Sequence, residues 1–251
     1  MVAVPALEDG SGSPHSRHTG WTQTSDCSRG WVVRVVLFGA TGMIGQGVLR
    51  ECLLDPEVTQ VVSIGRGLSG ETHPKLKEIR HQDFFDFSAI EGELSGLDAC
   101  FYCLGVSAAG MTEEAYRRVT HDMTLAAATM LCRLNPAMTF SYISGAGADS
   151  TEHGRIMWAR VKGVTENALR RLPFKAVYLF RPGAIQPLHG ITSRTNLYRI
   201  LYRVLGPFLP LLKAVSPDSL TTTEQLGKAM LHAGLHGAPK AVLEMPDINR
   251  L

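Results

Sequence analysis

The residues best placed to do chemistry stand together near residue 40: Gly39-Ala40-Thr41-Gly42-Met43-Ile44-Gly45, directly after the apolar run Val32 to Phe38. Glycines at this spacing, between a strand and a helix, suit the pyrophosphate of a dinucleotide. Gly39 permits a tight turn, Gly42 lets the backbone approach a phosphate, and Gly45 lets the helix pack close to the strand, while the helix N-terminus supplies N–H groups and a favourable dipole. Thr41, Met43 and Ile44 lie inside the same turn and count with the glycines as nucleotide contacts. The end of the next strand selects the nucleotide. A site for NAD usually carries Asp or Glu there, bonded to the adenosine ribose. Here Val61-Val62-Ser63-Ile64-Gly65 is followed by Arg66, and a guanidinium brackets a 2′-phosphate while gaining little from a bare hydroxyl. The expected cofactor is therefore NADP, with NAD possible. The plainer alternatives are a glycine turn without ligand and a solvated loop arginine.

Elements must hold these residues in place. From Trp31 short β-branched runs alternate with longer amphipathic stretches, which predicts βαβ units and a parallel sheet. The strands expected are Val32 to Phe38, Val58 to Ile64, Ile79 to Asp83, Asp98 to Leu104, Met138 to Ser144, Phe174 to Phe180 and Lys240 to Met245. Helices are expected over Met43 to Leu54, Thr112 to Leu134, Arg155 to Leu172, Thr195 to Leu205 and Thr222 to Leu235. In the third helix Met157, Val161, Val164, Ala168 and Leu172 repeat at three or four residues, so they are expected to form its core stripe. Right-handed crossovers assemble such units into a doubly wound parallel sheet, a Rossmann fold, whose ligands sit beyond the carboxyl ends of the strands.

Composition narrows the function classes. The 251 residues are 45% hydrophobic and 19% charged, enough for one sizeable core. A net charge of +2 without long basic runs argues against nucleic acid. The five cysteines resemble reduced thiols rather than a disulfide framework, which points to the cytoplasm. Cys100 and Cys103 form a CxxC inside a strand, where residues three apart face opposite ways, so neither redox nor metal chemistry is expected of them. The first 30 residues, rich in Gly, Ser and Thr, read as a disordered tail, with no apolar stretch of signal-peptide length. No apolar run is long enough to span a membrane.

The Gly39 to Gly45 turn, the segment Ser141-Tyr142-Ile143-Ser144-Gly145-Ala146-Gly147, Lys162 in the following helix and Leu179-Phe180-Arg181-Pro182-Gly183 resemble the atypical short-chain dehydrogenase/reductase superfamily, most closely the subgroup of the Tat-interacting protein of 30 kDa. The resemblance covers Val32 to the C-terminus. It implies a Rossmann fold binding NAD(P), with Arg181 and Pro182 near the cofactor, Asp83 and Phe84 near the adenine, and Gly105 near the nicotinamide ribose, while a helix-capping or solvated Asp83 fits the sequence nearly as well. It brings Thr120 and Asp122 into the same region, although ordinary helix surface fits them as well. Members that transfer hydride use a Ser after the fifth strand and a Tyr-x-x-x-Lys pair on the next helix. The Lys holds the ribose and lowers the Tyr pKa, so that the phenol works as acid or base. Ser144 and Lys162 match. The Tyr position is Trp158, and an indole donates a hydrogen bond but shuttles no proton near neutral pH. The resemblance thus implies catalytic positions at Ser144, Lys162 and Trp158 without the usual acid. Tyr142, Tyr116 and His153 are substitutes to weigh.

Residues 184–239 are expected to form a small cap over the carboxyl ends of the strands. Within it Leu197, Ile200, Leu201, Val204 and Leu205 share an apolar helix face flanked by Arg199 and Arg203, so residues 197–213 either close the pocket or dock weakly on a membrane surface or a protein. The function expected is an NADP-dependent oxidoreductase or epimerase acting on a small carbonyl or hydroxyl compound. The alternative is an NADP(H)-binding sensor that no longer turns over.

Overall fold

The computed structural model of the chain describes residues 33–191 and 220–251. The tail, the helix expected over Thr195 to Leu205 and the docking face of residues 197–213 lie outside the described residues. Seven strands form one sheet in the order β3-β2-β1-β4-β5-β6-β9: β1 Val33–Phe38, β2 Val58–Gly65, β3 Leu76–Arg80, β4 Ala99–Tyr102, β5 Thr139–Ile143, β6 Ala176–Arg181 and β9 Val242–Glu244. Every neighbouring pair is parallel. A short parallel ribbon pairs β7 Ala184–Gln186 with β8 Leu220–Thr222. This is the doubly wound α/β arrangement expected, and its order reverses between β1 and β4.

Alternation along each strand divides the core in two. Val35, Leu37, Ala99 and Phe101 face α1 (Met43–Leu54) and α5 (Thr223–His236) on one side. Val36, Phe38, Cys100, Tyr102, Phe140 and Tyr142 face α3 (Met123–Leu134) and α4 (Met157–Arg170) on the other. Both sheet faces are covered, so the strands read as almost unbroken apolar runs.

Four expectations need correction. The third strand ends at Arg80, not Asp83, because β2 offers partners only as far as Gly65; after His81 N bonds the Gly65 carbonyl the chain turns away. The long second helix is α2 (Glu113–Arg117), a π turn at Arg118–Asp122, then α3. Helix α4 does not bury the apolar stripe. Of those five residues only Val161 is fully buried, and the inward face carries Lys162, Thr165, Glu166 and Leu169. Burial of polar side chains costs free energy unless they are bonded, and here Lys162 and Glu166 find partners. Finally, α5 is no part of a cap. Leu226, Ala229, Met230 and Ala233 are buried in the α1 side of the core, and a Cβ added at Gly234 would lie 2.7 Å from Phe101.

Helix α5 also packs backbone to backbone on α1. A Cβ at Gly47 would lie 2.5 Å from the Thr223 carbonyl oxygen, whereas one at Gly92 would meet nothing within 4 Å. Gly47→Ala is expected to destabilise the protein by about 1–3 kcal/mol through overpacking, and Gly92→Ala to stay within about 0.5 kcal/mol of wild type. Equal denaturant midpoints for the two variants would show that the helix contact is looser than described.

Candidate nucleotide and reaction site

A cavity of about 740 Å³ opens where the strand order reverses, beyond the carboxyl ends of β1, β2, β4, β5 and β6. Each strand sends a loop to it. From the first turn come Gly39, Thr41, Gly42, Met43 and Ile44, from the end of β2 Arg66, and from the β4 loop Cys103 to Ala109. Ile143, Ser144, Trp158, Lys162, Pro182, Gly183, Ile185 and Tyr116 complete the lining.

The glycines divide their work. Gly39 adopts φ +84, a left-handed conformation that favours glycine, and a Cβ there would also press 2.8 Å from the Cys103 carbonyl. Gly45 stays off the cavity; its Cβ would lie 2.0 Å from the Gly39 carbonyl oxygen, so it serves the contact of α1 with the turn. Gly42 is the N-cap of α1 and bonds back to Gly39. At Gly105, a cavity residue, a Cβ would meet nothing within 4 Å, and no positive φ demands glycine. Protein packing does not explain that glycine. Arg66 is exposed, and no carboxylate pairs with it among the described residues; only its carbonyl is engaged, accepting from Gln82.

Several expected residues are elsewhere. Asp83 is exposed in the loop after β3 and accepts the Phe85 N–H. Phe84 is buried against Phe38 and Phe87 in the core rather than lining the cavity. Arg181 does not line the cavity either. Its guanidinium donates to both oxygens of buried Glu166, to Glu244 and to Ser150. Thr120 and Asp122 sit on the π turn, Thr120 buried and Asp122 bonded to His121. His153 is exposed in the loop before α4. Cys100 and Cys103 point to opposite faces, as alternation requires, and burial raises the pKa of both thiols.

The polar centre of the cavity is Ser144 with Lys162. Ser144 follows β5 directly, its N–H bonded to the Phe180 carbonyl, while its buried Oγ has no partner. An unbonded buried hydroxyl costs about 1–3 kcal/mol, which suits a group waiting for a ligand oxygen. Lys162 reaches in from α4 and donates to Tyr142 Oη and to the Ile143 carbonyl, both at 3.0 Å. Burial pushes its pKa down to about 8, against the opposite pull of Glu166. Tyr142 is fully buried, does not line the cavity, and is held neutral by burial. Trp158 stands one helical turn before Lys162, its ring against the backbone of Gly145 and Gly147. The residues present therefore fit a nicotinamide dinucleotide: a glycine turn that could hold phosphates, a guanidinium that no carboxylate pairs among the described residues, and an unpartnered hydroxyl on the same cavity as an ammonium.

No family model matches the chain. Among curated proteins it is similar to "Protein fmp52, mitochondrial" of Emericella nidulans, 27% identical over 212 residues, which are 81% of this chain and 88% of that one. It is similar also to "Protein HTATIP2" of Rattus norvegicus, 27% identical over 154 residues, 60% of this chain and 62% of that one. Among solved structures the reductase domain of PhqB from Penicillium fellutanum superposes with a TM-score of 0.64 at 16% identity, over 86% of this chain and 67% of that domain. The Bordetella bronchiseptica enzyme WbmF, solved with NAD+, gives 0.61 at 16%, over 85% and 72%. The chain carries the fold of the atypical short-chain dehydrogenase/reductases. In this fold the cavity lies where the sheet order reverses.

The apolar lining from Val106, Ala108, Ala109 and Ile185 was not read from the sequence. The rule that ligands gather beyond the strand ends singles out those loops but not their residues. Glu166 was missed as well, since a charged residue at a helical position looks like solvated surface unless its partner is known. Arg181→Met would leave Glu166 buried and unpaired, so a loss of about 3–5 kcal/mol in unfolding free energy is expected, with dinucleotide affinity of the folded protein unchanged. Stability retained but affinity lost would instead put the guanidinium on the ligand.

Proposed function

We propose that the chain is an NADP(H)-dependent oxidoreductase or epimerase acting on a small carbonyl or hydroxyl compound. The observation that carries this reading is Arg66, without a carboxylate partner among the described residues, on the same cavity as Gly39 and Gly42, where the end of β2 meets the adenosine side of a dinucleotide. Arg66 brackets the 2′-phosphate, the turn holds the pyrophosphate, and Ser144 Oγ orients the substrate oxygen. Bound nicotinamide supplies the two-electron step, and the protein supplies position and protons. The apolar lining from Val106, Ala108, Ala109, Ile185 and Trp158 favours an uncharged substrate with apolar surface. No helix among the described residues is long and apolar enough to cross a membrane. The cytoplasm belongs to this proposal as its place of work, while the fungal relatives have "mitochondrial" in their names.

Calorimetric titration of both dinucleotides tests the reading. Wild type is expected to bind NADPH more tightly than NADH, and Arg66→Ala to lose on the order of 10- to 100-fold for NADPH alone, the range for charge-assisted hydrogen bonds. Equal affinities in wild type, or no loss in the variant, would overturn the NADP assignment. With Trp158 in place of a phenol, the helix position one turn before Lys162 offers an indole N–H, which donates a hydrogen bond but no proton. Trp158→Tyr is expected to speed NADPH-dependent reduction of an activated diketone or quinone. NADPH binding with no turnover in either protein would favour a sensor.

A further inference from the structure

We infer that Lys162 is the proton donor of this site, positioned by Tyr142 from strand β5 and not by a phenol on its own helix. The inference rests on the oxidoreductase reading above and deepens it. An ammonium has three N–H groups, and two of those on Lys162 are spent on Tyr142 Oη and the Ile143 carbonyl. For the third no acceptor is found among the described residues, and Lys162 lines the same cavity as the unpartnered Ser144 Oγ. One donor serves one acceptor at a time, so this assignment moves Lys162 from the nicotinamide ribose to the substrate oxygen.

The chemistry balances within the named groups. As the carbonyl carbon takes a hydride from a reduced nicotinamide dinucleotide, the C–O π pair moves to oxygen. A Lys162 N–H bond breaks, an O–H bond forms on the substrate, and the pair left behind becomes the Nζ lone pair. The Tyr142 hydroxyl, which accepted from the ammonium, then rotates to donate to the neutral amine. The phenol keeps its own proton throughout, because burial raises its pKa well above the usual value. Lys162 is suited to donate because burial lowers its pKa towards neutrality, and general acids work best there.

The surroundings support one titrating group. On its own helix Lys162 faces Glu166, which is bound to Arg181 of β6, itself bound to Glu244 at the end of β9. Tyr102 of β4 and Cys103 directly after it are kept neutral by burial, and Tyr116 of α2 is raised in the same way. Glu113 of α2 is paired with Arg160, and His121 of the π turn with Asp122.

The test uses full-length wild type, Lys162→Met and Tyr142→Phe. In ligand-free protein labelled at lysine Cε, NMR is expected to show one lysine titrating near pH 8, missing in Lys162→Met and moved to lower pH in Tyr142→Phe, which removes an acceptor of the charged form. With NADPH and a quinone, kcat should fall above that pH in wild type, and the fall should begin earlier in Tyr142→Phe. Lys162→Met should bind NADPH as wild type does, which also shows that it folds, and lose about 10²- to 10⁴-fold in kcat with no falling limb. A Lys162 that titrates at the ordinary lysine value, or a Lys162→Met that loses NADPH affinity while keeping kcat, overturns the proposal alone. A wild type that binds neither dinucleotide takes the functional reading down, and the proposal with it.

Discussion

Everything at this site depends on how closely the first turn is pressed against the end of β4. The Gly39 backbone passes so near the Cys103 carbonyl that no side chain fits between them, and the Gly39 carbonyl in turn receives α1 at Gly45 with equal intimacy. Three backbone segments are thus wedged together without side chains as spacers. That wedge sets where α1 begins, aims its N-terminus at the cavity, and brings the β1 and β4 loops within reach of one ligand. Protein interiors transmit such constraints because they are close-packed. A methyl group at either glycine would therefore act on the whole mouth of the sheet.

A second constraint runs through α4. Its buried face is a polar column in which Lys162 takes its bonds from β5 and Glu166 takes its bonds from β6. Such a face is stabilising only when every member is satisfied, and then it fixes the helix in rotation and height more tightly than apolar packing does. Arg181 belongs to this column. A conspicuous arginine beside the cavity thus serves to hold the helix that presents Lys162 and Trp158.

The fold was legible wherever local chemistry and burial agree. The run up to Phe38, the glycine turn and the stretch Met43–Leu54 read alike in sequence and structure, because strand period, turn residues and helix period all change at the same residues. Legibility failed where a distant partner decides. The limit of β3 is set by the length of β2, which no feature of Ile79 to Asp83 announces. The stripe on α4 was drawn through apolar residues because sequence periodicity counts hydrophobicity, whereas the helix turned its bonded polar side inward. In the candidate site, Ser144, Trp158, Lys162 and the turn were visible as types at spacings. The Tyr142 contact with Lys162 was not, since it needs the register between strand and helix.

The ribbon of β7 and β8 gives the fold a seam. Ala184 pairs with Leu220 and Gln186 with Thr222, and Leu188 N is tied to Thr223 Oγ1, so the chain rejoins the sheet domain beside the place where it departs. Because the two ends are clamped together by the domain itself, doubling the length of what lies between them costs only about 0.6 kcal/mol in closure entropy. A change of length between those two ends therefore leaves the joint itself in place, as a handle is swapped on a fixed socket.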